Sequence, residues 1–149
     1  RVVADADVLA ADLLVGGPAR DALDVLRSHS WVELVATDAL LDDCEAVVAT
    51  LATPELATAH RTKLDDLRFR VDQPTGDHPA LASAYNGNAA HLLSFNPKLR
   101  RAKAGAALRK HLDVSVKHPR GFASLFDPER LWPEVGDGEY PGPDRDPRD

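Results

Sequence analysis

The sequence opens on Val2-Val3-Ala4-Asp5-Ala6-Asp7-Val8-Leu9, a short apolar run ending in one aspartate with a second two positions on. In an open α/β sheet, ligands collect outside the carboxyl ends of the strands. An aspartate at such an end faces that space. Two carboxylates held close together repel unless something positive lies between them, and a hard divalent cation such as Mg²⁺ or Mn²⁺ suits oxygen donors. The competing structural role is ordinary: Asp caps turns and helices, and many strands end in it for that reason.

Whether Asp5 belongs to a site depends on which other residues the chain sends to the same edge. Val2 to Asp5 reads as a first strand and Trp31 to Ala36 as a second. His91 to Phe95 reads as a third and Val114 to Val116 as a last short one. Between them lie helical patterns. Pro18 marks a helix start followed by Ala19, Ala22, Leu23 and Leu26. Thr37 or Asp38 caps a helix whose apolar stripe runs through Leu40, Leu41, Cys44, Val47, Val48 and Leu51. Thr53-Pro54-Glu55 starts another with Leu56, His60, Leu64 and Leu67, after which Val71 to Gly76 is expected to be a loop. Pro79 begins a helix ending near Asn86-Gly87, Arg100 to His111 is expected to be a helix with a basic outer face, and Arg120 to Phe126 a short last one. Strands separated by helices of this length predict an α/β fold, a three-layer α/β/α arrangement with a mostly parallel central sheet. All strand carboxyl ends then share one edge. Asp5 ends the first strand, and Asp43 lies about one and a half turns into the helix after the second. Asp77 precedes the helix leading to the third strand, and Asn96 ends that strand. All four are expected to converge.

Composition bounds the rest. The 149 residues, 44% of them apolar, suit one domain over residues 1–133. Residues 134–149 are Gly, Pro and Asp with almost nothing apolar, which predicts a disordered acidic tail. No apolar run approaches the roughly 20 residues of a membrane span. The first residues read as a strand and not as a signal peptide, so a cytoplasmic protein is expected. The single cysteine, Cys44, rules out an internal disulfide and fits a small core residue. Aspartate outnumbers glutamate by 18 to 6 and arginine outnumbers lysine by 13 to 5, with a net charge of −6, a halophile-like bias. The segment from Pro97 to Gly121 runs the other way, with eight cationic side chains against one acid, Asp113. A basic segment in an acidic chain suits a phosphate-binding face, although a solvated helix face looks the same.

The acids and their order together resemble the PIN-domain family, metal-dependent ribonucleases that include the toxins of toxin–antitoxin pairs and RNA-processing enzymes. Asp5-Ala6-Asp7-Val8-Leu9 resembles the family's D-x-N-x-L, with Asp7 in place of the usual Asn. Val35 to Asp43 is similar to the strand, Ser/Thr cap and acid-bearing helix that follow, with Asp43 in place of the usual Glu. Asp77 to Ala84 resembles D-x-x-x-L-A-x-A. His91 to Leu99 is similar to the strand ending in T-x-D/N, and Pro119-Arg120-Gly121-Phe122 to the closing P-x-x-F. The resemblance covers residues 1 to roughly 130 of the chain. The same opening octet also resembles haloacid-dehalogenase-type phosphatases, but Gly76-Asp77 comes too early for their late acidic pair.

By resemblance, Asp5, Asp43 and Asp77 hold one or two Mg²⁺ or Mn²⁺ ions for phosphodiester hydrolysis, with Asn96 at the fourth catalytic position. Thr37 and Ser94 would orient waters or carboxylates from behind. Asn96 is neutral where many members carry an acid, which lowers the charge available to a metal. A degenerate domain that binds RNA or protein without cleaving is therefore the alternative. A homodimer and an antitoxin-like protein partner are implied by resemblance alone. Carboxylates and phosphates repel, so RNA would need flanking cations, and Arg100, Arg101 and Lys103 are expected to contact its backbone.

Overall fold

A computed structural model of the chain describes residues 1–73, 78–102 and 114–149, with the side chains of 100–102 left aside. The elements in order are β1 (Val2–Ala4), α1 (Ala6–Leu14), α2 (Gly17–Ser28), β2 (Leu34–Ala36), α3 (Asp38–Leu51), α4 (Pro54–Leu67) and β3 (Arg68–Arg70). They continue as α5 (Pro79–Asn86), β4 (His91–Leu93), α6 (Pro97–Ala102), β5 (Ser115–Lys117), α7 (Pro119–Leu125) and α8 (Pro128–Leu131), followed by a single 3₁₀ turn.

The five strands form one sheet in the order β3-β2-β1-β4-β5, and every neighbouring pair is parallel. Val2 lies opposite Leu34 on one side and His91 on the other. Helices cover both faces, as the alternation of strands and helices predicts. The central strands β1 and β2 are buried at every position, which explains why they read as unbroken apolar runs. The edges differ. β3 is Arg-Phe-Arg and β5 Ser-Val-Lys, each with partly exposed positions, and their charges discourage pairing with another chain.

Three elements, β3, α1 and α8, are not anticipated by the sequence reading. Residues 68–70 form β3, where helical periodicity simply runs out. Ala6 to Leu14 form α1, capped by Asp5, which accepts from the Ala6 N–H at 2.8 Å. Gly16 and Gly17, with φ of 85° and 55°, make the turn into α2. At the end of α5 the backbone of Gly87 lies so close to β2 that a Cβ there would sit 2.2 Å from Val35. The core is aliphatic: Leu9, Leu23, Leu26, Leu34, Leu40, Leu41, Leu92 and Leu93 are fully buried. Cys44 is buried among them, as expected.

Residues 134–149 also differ from expectation. Where composition predicts disorder, the structure lays this segment back against α2 and the turn after it. Tyr140 hydrogen-bonds His29 Nε2 at 2.6 Å, and the Asp144 N–H donates to Ser28 O at 2.9 Å. Polar and aromatic contacts do the anchoring, which a search for apolar residues overlooks. No helix among the described residues is long and apolar enough to cross a membrane.

Candidate functional site

The carboxyl ends of β1 and β4 lie side by side. The Asp5 N–H donates to Leu93 O at 2.8 Å, extending the ladder one residue beyond each strand. There the chain turns into α1, and both carboxylate oxygens of Asp5 are engaged. Oδ1 caps the helix, and Oδ2 accepts from the Ser94 hydroxyl at 3.0 Å. Ser94 is fully buried, its N–H bonded to Lys117 O of β5, and its oxygen accepts from the Asn96 N–H. It therefore holds Asp5 from the neighbouring strand end.

Asp7 completes the local constellation. Its Oδ2 accepts from the Phe95 N–H at 3.3 Å, while Oδ1 is buried with no hydrogen-bond partner. Burial first, and the charge of Asp5 second, push its carboxyl above the ordinary range, against the pull of the Val8 and Phe95 N–H groups. Two acids stand together with one oxygen unsatisfied, an arrangement that invites a cation or a proton.

The other expected members are placed as follows. Asn96 is exposed, and its Oδ1 accepts from the Lys98 N–H at 2.9 Å, the capping bond at the start of α6. Thr37 is fully buried. Its Oγ1 caps α3 by accepting from the Leu40 N–H and donates to Gln73 Oε1, and its N–H donates to Ser83 Oγ of α5. It thus ties the end of β2 to the segment ahead of residue 74. Asp77 lies outside the described residues, as do Lys103 and the side chains of Arg100 and Arg101. His78, just after Asp77, caps α5 through Nδ1, which accepts from the Ala80 N–H.

Asp43 is exposed on α3. It does not join Asp5 and Asp7: among the described residues no group of three or more His, Cys, Asp or Glu side chains is placed to hold a metal ion. Its neighbours Asp42 and Asp38 are committed to arginines. Asp42 pairs with Arg61 at 2.6 Å, and Asp38 pairs with Arg70 and Arg68, which hold its carboxyl well below the usual range.

The residue that the resemblance undervalues is Asp7, since the family pattern carries a neutral side chain there. The alternation in D-x-D is the signal that finds it. The carboxylates that the structure describes together at this edge are therefore Asp5, held by Ser94, and Asp7, held by the Phe95 N–H. The family model for DUF7384, a family of unknown function, matches residues 1–148. No curated protein and no solved structure matches the chain.

Proposed function

We propose that this chain, which belongs to the DUF7384 family, is a metal-dependent ribonuclease of PIN type acting on RNA phosphodiesters in the cytoplasm. The observation that carries the reading is the buried, unpartnered Oδ1 of Asp7 beside Asp5 at the shared end of β1 and β4. Asp5 and Asp7 would hold Mg²⁺ or Mn²⁺, with Asp77 as the further acid; Asp43 stands outside this set. Such an ion supplies an activated water and stabilises charge developing at the phosphorus. The chain's own residues do the positioning. Ser94 and the Ala6 N–H fix the Asp5 carboxylate, and the Phe95 N–H fixes one oxygen of Asp7. Arg100, Arg101 and Lys103 follow Asn96 within seven residues of sequence and would meet the RNA backbone without reading bases.

The test is cleavage of a labelled single-stranded RNA with Mn²⁺, with EDTA, and by an Asp5→Asn variant. Cleavage only with metal and only by the parent supports the reading, whereas EDTA-resistant cleavage overturns it. The Arg100→Ala, Arg101→Ala, Lys103→Ala triple variant should bind RNA more weakly and with a shallower salt dependence.

A second reading has its own support. The described residues bring together two acids and not three, and Asn96 is neutral and occupied in capping. On that basis the domain binds RNA or protein without cleaving. A Mn²⁺ titration followed by thermal unfolding separates the two, because an ion bound to the native state raises its stability.

A further inference from the structure

A cavity of about 630 Å³ opens between α1, α2, α4 and residues 145–149. Its lining includes none of Asp5, Asp7, Ser94 or Asn96, so it is separate from the carboxyl edge of the sheet. Five cationic side chains line it, Arg20, Arg27, Lys63, Arg145 and Arg148, against three acidic ones. Much of that charge is already matched. Asp12 is bound by Arg27 through both oxygens and lies 3.9 Å from Arg20, and Arg148 pairs with Asp24. Among the described residues, Lys63 and Arg145 form no salt bridge, although the charge of Arg145 is felt by Asp144. Arg145 makes one hydrogen bond, to His29 O.

The wall also contains a stranded polar group. His60 is 7% exposed, and its Nε2 has no hydrogen-bond partner. Its Nδ1 lies 3.9 Å from the Cys44 sulfur. Burial pushes the Cys44 thiol up to about 12, so it keeps its proton and can donate it towards Nδ1. Burial also holds the imidazole below its ordinary range, against Asp12, so the ring is neutral at pH 7. With Nδ1 as acceptor, the ring proton sits on Nε2, a buried donor lacking an acceptor. Nothing at the carboxyl edge uses this group.

We propose that the cavity binds a small phosphomonoester, with the phosphate held by Lys63, Arg145 and Arg20 and one of its oxygens accepting from His60 Nε2. The lining carries a net charge of +2, and a phosphomonoester is close to a dianion at neutral pH. Leu13, Leu64 and Leu67 give the organic part an apolar wall, and the volume suits a small-molecule site. An internal RNA phosphodiester offers the same oxygens but only one charge, so the two sources can be told apart.

The experiment is calorimetry in EDTA, with inorganic phosphate and ribose 5-phosphate as probes and ribose as control. Both phosphates are expected to bind and ribose is not. Lys63 and Arg145 are exposed, so Lys63→Ala and Arg145→Ala fold normally, and each should weaken binding by roughly tenfold. His60→Leu should weaken it while keeping thermal stability. Asp5→Asn should bind like the parent, which keeps this site distinct from the nuclease reading. Phosphates binding no better than ribose, or unchanged binding by the Lys63 and Arg145 variants, overturns the proposal. So does displacement of ribose 5-phosphate by an oligoribonucleotide without terminal phosphates, which would give the cavity to the RNA backbone.

Discussion

The Ser94 hydroxyl donates to Oδ2 of Asp5 at 3.0 Å, joining the ends of two adjacent parallel strands through a buried side chain. A serine at that place removes the rotational freedom of the carboxylate, which must be fixed before it can present oxygens to an ion. It also leaves Asp5 with both oxygens engaged by neutral donors.

Asp5→Asn is the first expected outcome. Asn is as good a helix N-cap as Asp, so α1 stays intact and the melting temperature falls little. On the nuclease reading, the loss of a charge should abolish metal binding. Thermal unfolding with and without Mn²⁺ checks this: the parent is stabilised and the variant is not. A variant stabilised as strongly as the parent removes Asp5 from the site.

Asp7→Asn acts through the apoprotein. The folded pKa of Asp7 is raised above 3.8, so the native state holds its proton more tightly than the unfolded chain does. That contribution is fully present below pH 3.8 and is lost as pH rises through the folded pKa, above which the ionised group is a liability. The amide keeps an oxygen for the Phe95 N–H and turns an N–H towards Asp5. The variant should therefore be more stable than the parent at pH 7, by about 1 kcal/mol, with the gain disappearing in acid. Urea unfolding at pH 7 and pH 3 measures it, and a variant less stable at pH 7 contradicts the assignment.

Asn96→Asp keeps the cap on Lys98, since either side chain accepts that bond. It adds a negative charge at the edge where Asp5 lies. Divalent affinity should rise, and any RNA cleavage with it. Titration with Mn²⁺ gives the answer, and an unchanged affinity places Asn96 outside the site.

Much of this arrangement can be read from sequence because it rests on local chemistry. Val2-Val3-Ala4 and Leu34-Val35-Ala36 announce buried parallel strands, and Thr37 and Thr53 announce helix caps. What escapes is decided by partners distant in sequence. Arg68-Phe69-Arg70 is a strand because β2 offers it a ladder, not because its residues alternate. Asp43 carries the right charge at the right spacing, but it is exposed on α3, and among the described residues no group of three acids forms. His60 looks like one more position in an apolar stripe, until Cys44 of another helix fixes one of its nitrogens and leaves the other stranded.

The Asp12–Arg27 pair tests the packing of α1 against α2. The Asp12 side chain is 3% exposed, and Arg27 binds both of its oxygens. Arg27→Ala leaves a buried carboxylate with only the distant Arg20, and should cost about 3 kcal/mol in urea unfolding. A cost below about 1 kcal/mol would mean that Arg20 moves in to replace it.

The docking of residues 134–149 is the last relationship to test, because composition and structure say opposite things about it. Tyr140 stacks on His29 with ring centroids 6.0 Å apart and hydrogen-bonds it, and His29 also meets Trp31 edge-on. Farther along, Asp144 accepts from the Ser30 N–H at 2.8 Å and from the Ser30 hydroxyl, and Arg145 donates to His29 O. Those two bonds from Ser30, the hydroxyl first, hold the Asp144 carboxyl below its ordinary range. A lowered folded pKa stabilises above the unfolded value of 3.8 and is lost as pH falls through the folded one, so docking should weaken in acid. The Asp144 amide is itself bonded to Ser28 O, which makes it a reporter. Its hydrogen exchange at neutral pH should be slower than that of a free loop amide. Tyr140→Phe, which removes one partly exposed hydrogen bond and keeps the ring, should cost about 0.5 kcal/mol and speed that exchange. Exchange at the rate of an unprotected amide in the parent would return the segment to the disorder that its composition predicts, and with it the wall that Arg145 and Arg148 give the cavity.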